Sequence, residues 1–338
     1  MCSPTRVATL TGRNNLRFGI GGPISQGEDH LPKEEITIAE ALAPLGYVSG
    51  HFGKWHVGDI VNEKDSTNLM HPGMAGFAEW FSTRNVLPTF DPYLGKFDKT
   101  QHYYHNGRYV PEDEGIRGDD SRIIMDAALE FVQDRANDNR PFFAFICFHA
   151  VHYPLGLIAE YSEPYTDITD KTTKNYYSNI TAIDAAVGRL RGALRESNLS
   201  ENTLLWFCSD NGPNLKGDNA AGPGSKGPYR GCKGQLYEGG IRVPGLLEWP
   251  EGISRPRVVD TPVVTSDFFP TFVDLAGGKL PARPYDGISL VPLLKGEANS
   301  FDRNICFSTR GWLAIQNDKY KLVRPKGKTS SFELYDME

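Results

Sequence analysis

Apolar residues recur along this chain in two alternating rhythms, and their alternation predicts a layered α/β fold. Ile123, Ala127 and Phe131 sit four apart on one face of a helix that Asp119 or Asp120 can cap. Pro141 to Phe148 is then an unbroken apolar run, short enough for a strand buried on both faces. The pairing returns in a helix from about Lys174 to Arg195, with Ile183, Val187, Leu190 and Leu194 on one face, leading into Leu204–Cys208. Upstream, Glu35–Leu42 reads as a helix with a threonine able to cap it. Pro44-Leu45-Gly46 stops that helix before a short strand, Tyr47–Phe52. Strands alternating with helices predict a mostly parallel central sheet flanked by helices. In open sheets of this kind ligands gather beyond the carboxyl ends of strands. His149 and His152 after one strand, and Asp210 and Asn211 after the next, are therefore expected at one rim. After about Pro281 the chain is punctuated by proline and glycine, and Leu313–Gln316 and Tyr320–Val323 predict a small antiparallel sheet. The expected organisation is a main α/β domain over residues 1–284 and a small subdomain over residues 285–338.

Composition narrows the partner. A chain of 338 residues can bury a substantial core, and its formal charge of −6 comes with no basic block and no long acidic run. Nucleic acid and membrane are not expected partners; a small molecule is. No apolar stretch approaches the roughly 20 residues needed to cross a bilayer, and no charged-then-apolar leader opens the chain. The five cysteines, Cys2, Cys147, Cys208, Cys232 and Cys306, form no C-x-x-C pair, which argues against a zinc site or a disulfide framework. Cys147 and Cys208 lie in apolar runs and read as small buried hydrophobes.

Chemistry concentrates in five short segments. Cys2-Ser3-Pro4-Thr5-Arg6 forms a C-x-P-x-R pattern continued by Leu10-Thr11-Gly12-Arg13, and Gly53-Lys54-Trp55-His56-Val57-Gly58 forms G-K-W-H-x-G. His149-Ala150-Val151-His152-Tyr153-Pro154 sets a histidine before an x-Pro step, and Ser209-Asp210-Asn211-Gly212 follows an apolar strand. Lys233 precedes Tyr237-Glu238-Gly239-Gly240-Ile241-Arg242-Val243-Pro244. Taken singly, each has a bland reading: an Asx turn at Asp210-Asn211, a solvated strand end at Lys54, a packing histidine at His149. Together and in this order they resemble the formylglycine-dependent sulfatases of the alkaline phosphatase superfamily. Asp286–Leu290 and Glu333–Asp336 are similar to late segments of that family.

The resemblance implies a sulfuric ester hydrolase in which Cys2 is converted to formylglycine (3-oxoalanine) by a maturation enzyme. It implies that Asp210 and Asn211, with residue 2, hold a calcium ion, a role suited to hard oxygen donors. Arg6 is expected to steady the hydrated aldehyde and His56 to serve its proton traffic. Lys54 and Lys233 are expected to grip sulfate, and His152 to meet the leaving oxygen; Lys226 is the nearest rival to Lys233. The resemblance further implies an upstream strand and an aspartate pair, so the chain is expected to be truncated before Cys2 and again at its C-terminus. The parent protein is expected to be exported. Sulfated carbohydrate is the preferred substrate over aryl sulfate. Two other readings stand beside this one: a phosphate or phosphonate monoester hydrolase of the same superfamily, and an impaired or binding-only remnant. Aromatic residues between positions 71 and 109, among them Trp80, Phe81, Phe90, Tyr93, Tyr103 and Tyr104, are read either as packing or as a wall for a sugar.

Overall fold

The computed structural model describes residues 1–25, 30–61, 69–95, 97–215, 223–327 and 331–337. From the N-terminus the helices and strands are α1 (Cys2–Thr11), α2 (Ile38–Leu42), β1 (Val48–Lys54), β2 (Glu79–Thr83), β3 (Tyr103–His105), β4 (Arg108–Tyr109), α3 (Asp120–Asp138), β5 (Phe142–Cys147) and α4 (Lys171–Glu196). There follow β6 (Leu205–Cys208), α5 (Glu238–Ile241), β7 (Gly245–Glu248), α6 (Phe268–Leu275), α7 (Val291–Leu294), β8 (Ile305–Thr309), β9 (Trp312–Gln316), β10 (Tyr320–Arg324) and β11 (Glu333–Asp336). The chain divides into two compact units. The first comprises Met1–Ile24, Glu34–Ala41 and Glu201–Glu338; the second comprises Ser25–Lys33 and Leu42–Ser200.

The second unit is built on a mixed sheet in the order β4-β3-β2-β1-β5. β1 runs parallel to β2 and β5, whereas β2, β3 and β4 form antiparallel ladders at one side. Asp119 caps α3, its carboxylate accepting from Ser121 N at 2.9 Å and Arg122 N at 3.2 Å. Burial raises that carboxyl group to about 6. Ile123, Ile124 and Phe131 of α3 are buried where the helix packs on β1 and β5, and α4 packs on α3 in turn. Each such side chain contributes roughly 1.5–3 kcal/mol by leaving water. Register pairs Gly53 with Cys147 and Lys54 with Thr83, so the parallel strands β1, β2 and β5 end level with one another. The segments after Lys54, Thr83 and Cys147 thus leave one edge of one sheet.

Two expectations change here. The apolar run Pro141–Phe148 forms β5, but β5 is the outermost strand with β1 as its ladder partner, and Phe142 to Ile146 are only half-buried. Position at the edge, not composition, sets that exposure. The strand after α4 does not continue this sheet among the described residues: β6 pairs antiparallel with β7 in a two-stranded ladder of the first unit. A single sheet rim shared by His149, His152, Asp210 and Asn211 therefore does not follow from the hydrogen-bonded sheets.

In the first unit α1 packs against α6, with Val7, Leu10 and Phe269 fully buried. The C-terminal strands form an antiparallel sheet in the order β11-β10-β9-β8, as the alternation after Pro281 predicts. Its inner residues Ala314 and Val323 cluster with Leu236 and Tyr237, which ties this sheet to the loop that carries Lys233.

Candidate active site

Within the first unit, α1 begins at Cys2, so the thiol sits in the first turn of a ten-residue helix. Pro4 is tolerated there because the first-turn amides have no partner within the helix. Cys2 is buried, and its Sγ lies 3.9 Å from Asn211 Oδ1. One turn on, Thr5 Oγ1 donates to the carbonyl of Asp210 at 2.8 Å, and Arg6 Nη2 stands 3.9 Å from Asp210 Oδ2. The thiol-bearing helix is therefore pinned to the segment that follows β6. Gly212 allows that segment to lie directly on the Glu238–Gly240 turn: a Cβ at Gly212 would stand 2.0 Å from the Gly239 carbonyl. Gly212 N donates to Gly240 O at 3.0 Å, and Lys233 N donates to Pro213 O at 2.9 Å, which sets the Lys233 backbone against Pro213, two residues after Asn211. Glu238 faces Lys321 of β10, Oε1 to Nζ 2.6 Å, and Lys321 is almost wholly buried. Glu238 and Arg242, 3.9 Å apart, hold this loop.

Within the second unit, Lys54 ends β1 and is buried, as is His56. Trp55 N donates to Thr83 O and His56 N to Arg84 O, both at 2.9 Å, so the segment continues alongside the end of β2. His56 has φ of 55°, a left-handed backbone uncommon for a residue with a Cβ and frequent at functional positions. Beyond β5, His149 and His152 differ sharply. The His149 ring is fully buried, with Nδ1 2.7 Å from Asp120 Oδ2 and Nε2 2.7 Å from Thr83 Oγ1. His152 is partly exposed, and its Nδ1 donates to the Tyr153 carbonyl at 2.7 Å. A carbonyl only accepts, so the neutral His152 ring carries its proton on Nδ1, and Nε2 is then its unprotonated nitrogen.

Cys2, Arg6, Asp210, Asn211 and Lys233 thus fall in one unit, and Lys54, His56 and His152 in the other. The sulfatase family model matches residues 1–278 of this chain, and the model of the N-sulphoglucosamine sulphohydrolase C-terminal region matches residues 231–338. The chain belongs to the sulfatase family. It is 32% identical over 351 residues to an arylsulfatase of Hemicentrotus pulcherrimus, covering 100% of this chain and 61% of that protein. It is 31% identical over 341 residues to the N-acetylgalactosamine-6-sulfatase of Canis lupus familiaris, covering 95% of this chain and 62% of that protein. The chain therefore spans about three-fifths of the length of these relatives. Among solved structures, Ps i-CgsB in complex with k-i-k-neocarrahexaose matches with a TM-score of 0.85 and 27% identity, covering 99% of this chain and 75% of that one. This sulfatase-family chain has the α/β fold expected of it.

Several neighbours of these residues escape the motifs. Thr5, variable in the C-x-P-x-R pattern, ties α1 to the Asp210 carbonyl at 2.8 Å. Asp120 and Thr83 hold His149 from other elements, and only the Asp119-Asp120 pair before a helix hinted at them. Trp80, Phe81, Tyr103 and Tyr104 are buried in packing, Phe81 stacking on Tyr103 at 4.4 Å, which favours the packing reading for this part of the aromatic stretch.

Proposed function

We propose that this chain carries the chemistry of a sulfuric ester hydrolase that cleaves sulfate monoesters, carbohydrate sulfates in preference to aryl sulfates, at a residue derived from Cys2. The observation that carries the reading is the placement of Cys2 at the start of α1, buried, with Asn211 Oδ1 3.9 Å from its sulfur and Arg6 facing Asp210. A cysteine buried in that setting has polar company that simple packing does not require.

Asp210 and Asn211 offer a carboxylate and an amide oxygen side by side, the kind of donor calcium takes, although calcium accepts about six to eight oxygens. Among the described residues, no group of three or more His, Cys, Asp or Glu is placed so that it could hold a metal ion. The pair suits calcium in kind, and an ion held there would supply positive charge beside residue 2. Formylglycine at position 2, once hydrated, supplies two hydroxyls on one carbon, one to attack sulfur and one to release it.

The other roles belong to this chain's own side chains. As the S–O bond breaks, charge grows on the bridging oxygen and stays on the sulfate oxygens, so cations are needed at both places. Lys54 and Lys233 are assigned to the sulfate oxygens, and Arg6 to the hydroxyl-bearing carbon at position 2. His56 serves protons at position 2. His152 meets the leaving oxygen through Nε2, donating when its ring is doubly protonated. A maturation enzyme that oxidises Cys2, and an exported parent protein, belong to the same proposal.

Turnover of matched aryl sulfate and aryl phosphate, followed by sulfated and unsulfated oligosaccharides, tests it. Sulfate turnover that exceeds phosphate turnover and vanishes in Cys2→Ala is expected. Dominant phosphatase activity would replace this reading with the phosphate or phosphonate hydrolase.

A further inference from the structure

Both candidate segments of the second unit are tied to one buried cluster that has no role in the chemistry above. The Thr83 carbonyl accepts from Trp55 N, between Lys54 and His56. Its hydroxyl touches two groups, His149 Nε2 at 2.7 Å and the Asn85 carbonyl at 2.6 Å. On the far side of the ring, His149 Nδ1 faces Asp120 Oδ2 at 2.7 Å, and the other Asp120 oxygen accepts from Tyr103 OH at 2.5 Å. Burial, reinforced by Asp120, raises the Tyr103 hydroxyl well above its ordinary value, so it remains a donor. Thr83, Asp120 and Tyr103 are fully buried and come from β2, α3 and β3. Finally, the His149 carbonyl accepts from His152 N at 2.8 Å.

Counting hydrogens fixes the direction of these bonds. The Asn85 carbonyl can only accept, so the single Thr83 hydroxyl hydrogen is committed to it. Thr83 Oγ1 must then accept from His149, which places a hydrogen on Nε2. Asp120 Oδ1 accepts from Tyr103 and Oδ2 faces the ring; with Asp120 as the acceptor there too, Nδ1 donates as well. We infer that His149 is a positioning residue, a doubly protonated imidazole paired with the Asp120 carboxylate, and that it fixes the backbone presenting His152 while Thr83 fixes the turn presenting Lys54 and His56. A ring that donates from both nitrogens to acceptors on two different elements has one orientation available, and the loop it belongs to inherits that orientation. The link to turnover rests on the proposed sulfate-ester chemistry; the hydrogen-bond assignment does not.

The test is histidine-selective nitrogen NMR of this chain at neutral pH, on the wild type, Thr83→Val and Thr83→Ser. The wild-type spectrum is expected to show both His149 nitrogens protonated. Thr83→Val keeps the carbonyl that holds Trp55 but removes the acceptor, and is expected to shift the His152 ring resonances while unfolding stays cooperative; Thr83→Ser is expected to match the wild type. In aryl sulfate turnover, Thr83→Val should lower kcat by roughly ten- to a hundredfold with a smaller change in KM, as a displaced reacting group does. An unprotonated His149 nitrogen in the wild type would overturn the assignment without any variant. Unchanged His152 resonances in Thr83→Val, or a Thr83→Ser variant as impaired as Thr83→Val, would overturn the positioning role. Absence of turnover in the wild type would count against the sulfate-ester chemistry, and the spectra would still decide the role of His149.

Discussion

At position 53 the chain needs glycine for two separate reasons. Its φ is 93°, a conformation that L side chains rarely adopt, and a Cβ there would stand 2.2 Å from the Cys147 carbonyl on β5. Gly53→Ala is therefore expected to cost at least about 2 kcal/mol in urea denaturation, with the loss falling on the β1–β5 ladder. The two histidines after β5 provide a contrast at the same scale. Asp120→Ala would leave the His149 ring buried without its carboxylate, and a loss of about 3–5 kcal/mol is expected. His152→Ala removes a partly exposed side chain and should change stability by less than about 0.5 kcal/mol while abolishing sulfate turnover. Measuring both quantities on both variants separates holding from reacting; a stable, inactive Asp120→Ala variant would contradict the assignment.

At the scale of elements, much was legible because local chemistry decides local structure. The cap before α3 is Asp119, and the predicted threonine cap is Thr37, whose hydroxyl accepts from Glu40 N while Glu40 Oε2 accepts from Thr37 N. That reciprocal pair starts α2 at Ile38, so the helix is three residues shorter than the apolar spacing from Glu35 suggests. Strand partners were not legible, because pairing is decided by distant residues: β6 reads like another buried parallel strand yet pairs with β7. The Lys321–Glu238 pair was equally hidden, being two ordinary charges 83 positions apart. It clips β10 to the turn that follows Lys233. Burial lowers the pKa of Lys321, and Glu238 pushes it back up. Removing the carboxylate in Glu238→Gln leaves the lysine with burial alone, so its folded pKa falls further below the ordinary 10.5. The unfolded chain then binds the extra proton, and stability rises with pH across that interval. The stability deficit of Glu238→Gln is expected to be largest near neutrality and to shrink as pH approaches 10.5. A deficit independent of pH would mean that Lys321 keeps its proton without Glu238.

For the molecule as a whole, the proposed ligand, a small anionic ester, rests on the family match, and the formal charge of −6 is compatible with it. The chemistry-bearing motifs were readable because each needs a particular residue type at a particular spacing. The buried supports around them were not, since Thr83, Asp120 and Tyr103 carry no spacing of their own. Every role proposed for Lys54, His56, His152 and Lys233 presupposes that residue 2 is the nucleophile's precursor. Mass spectrometry of the peptide carrying residue 2, from protein expressed in its own host, tests that most directly. Formylglycine in place of Cys2 is the predicted result, and unmodified cysteine in every molecule would contradict it.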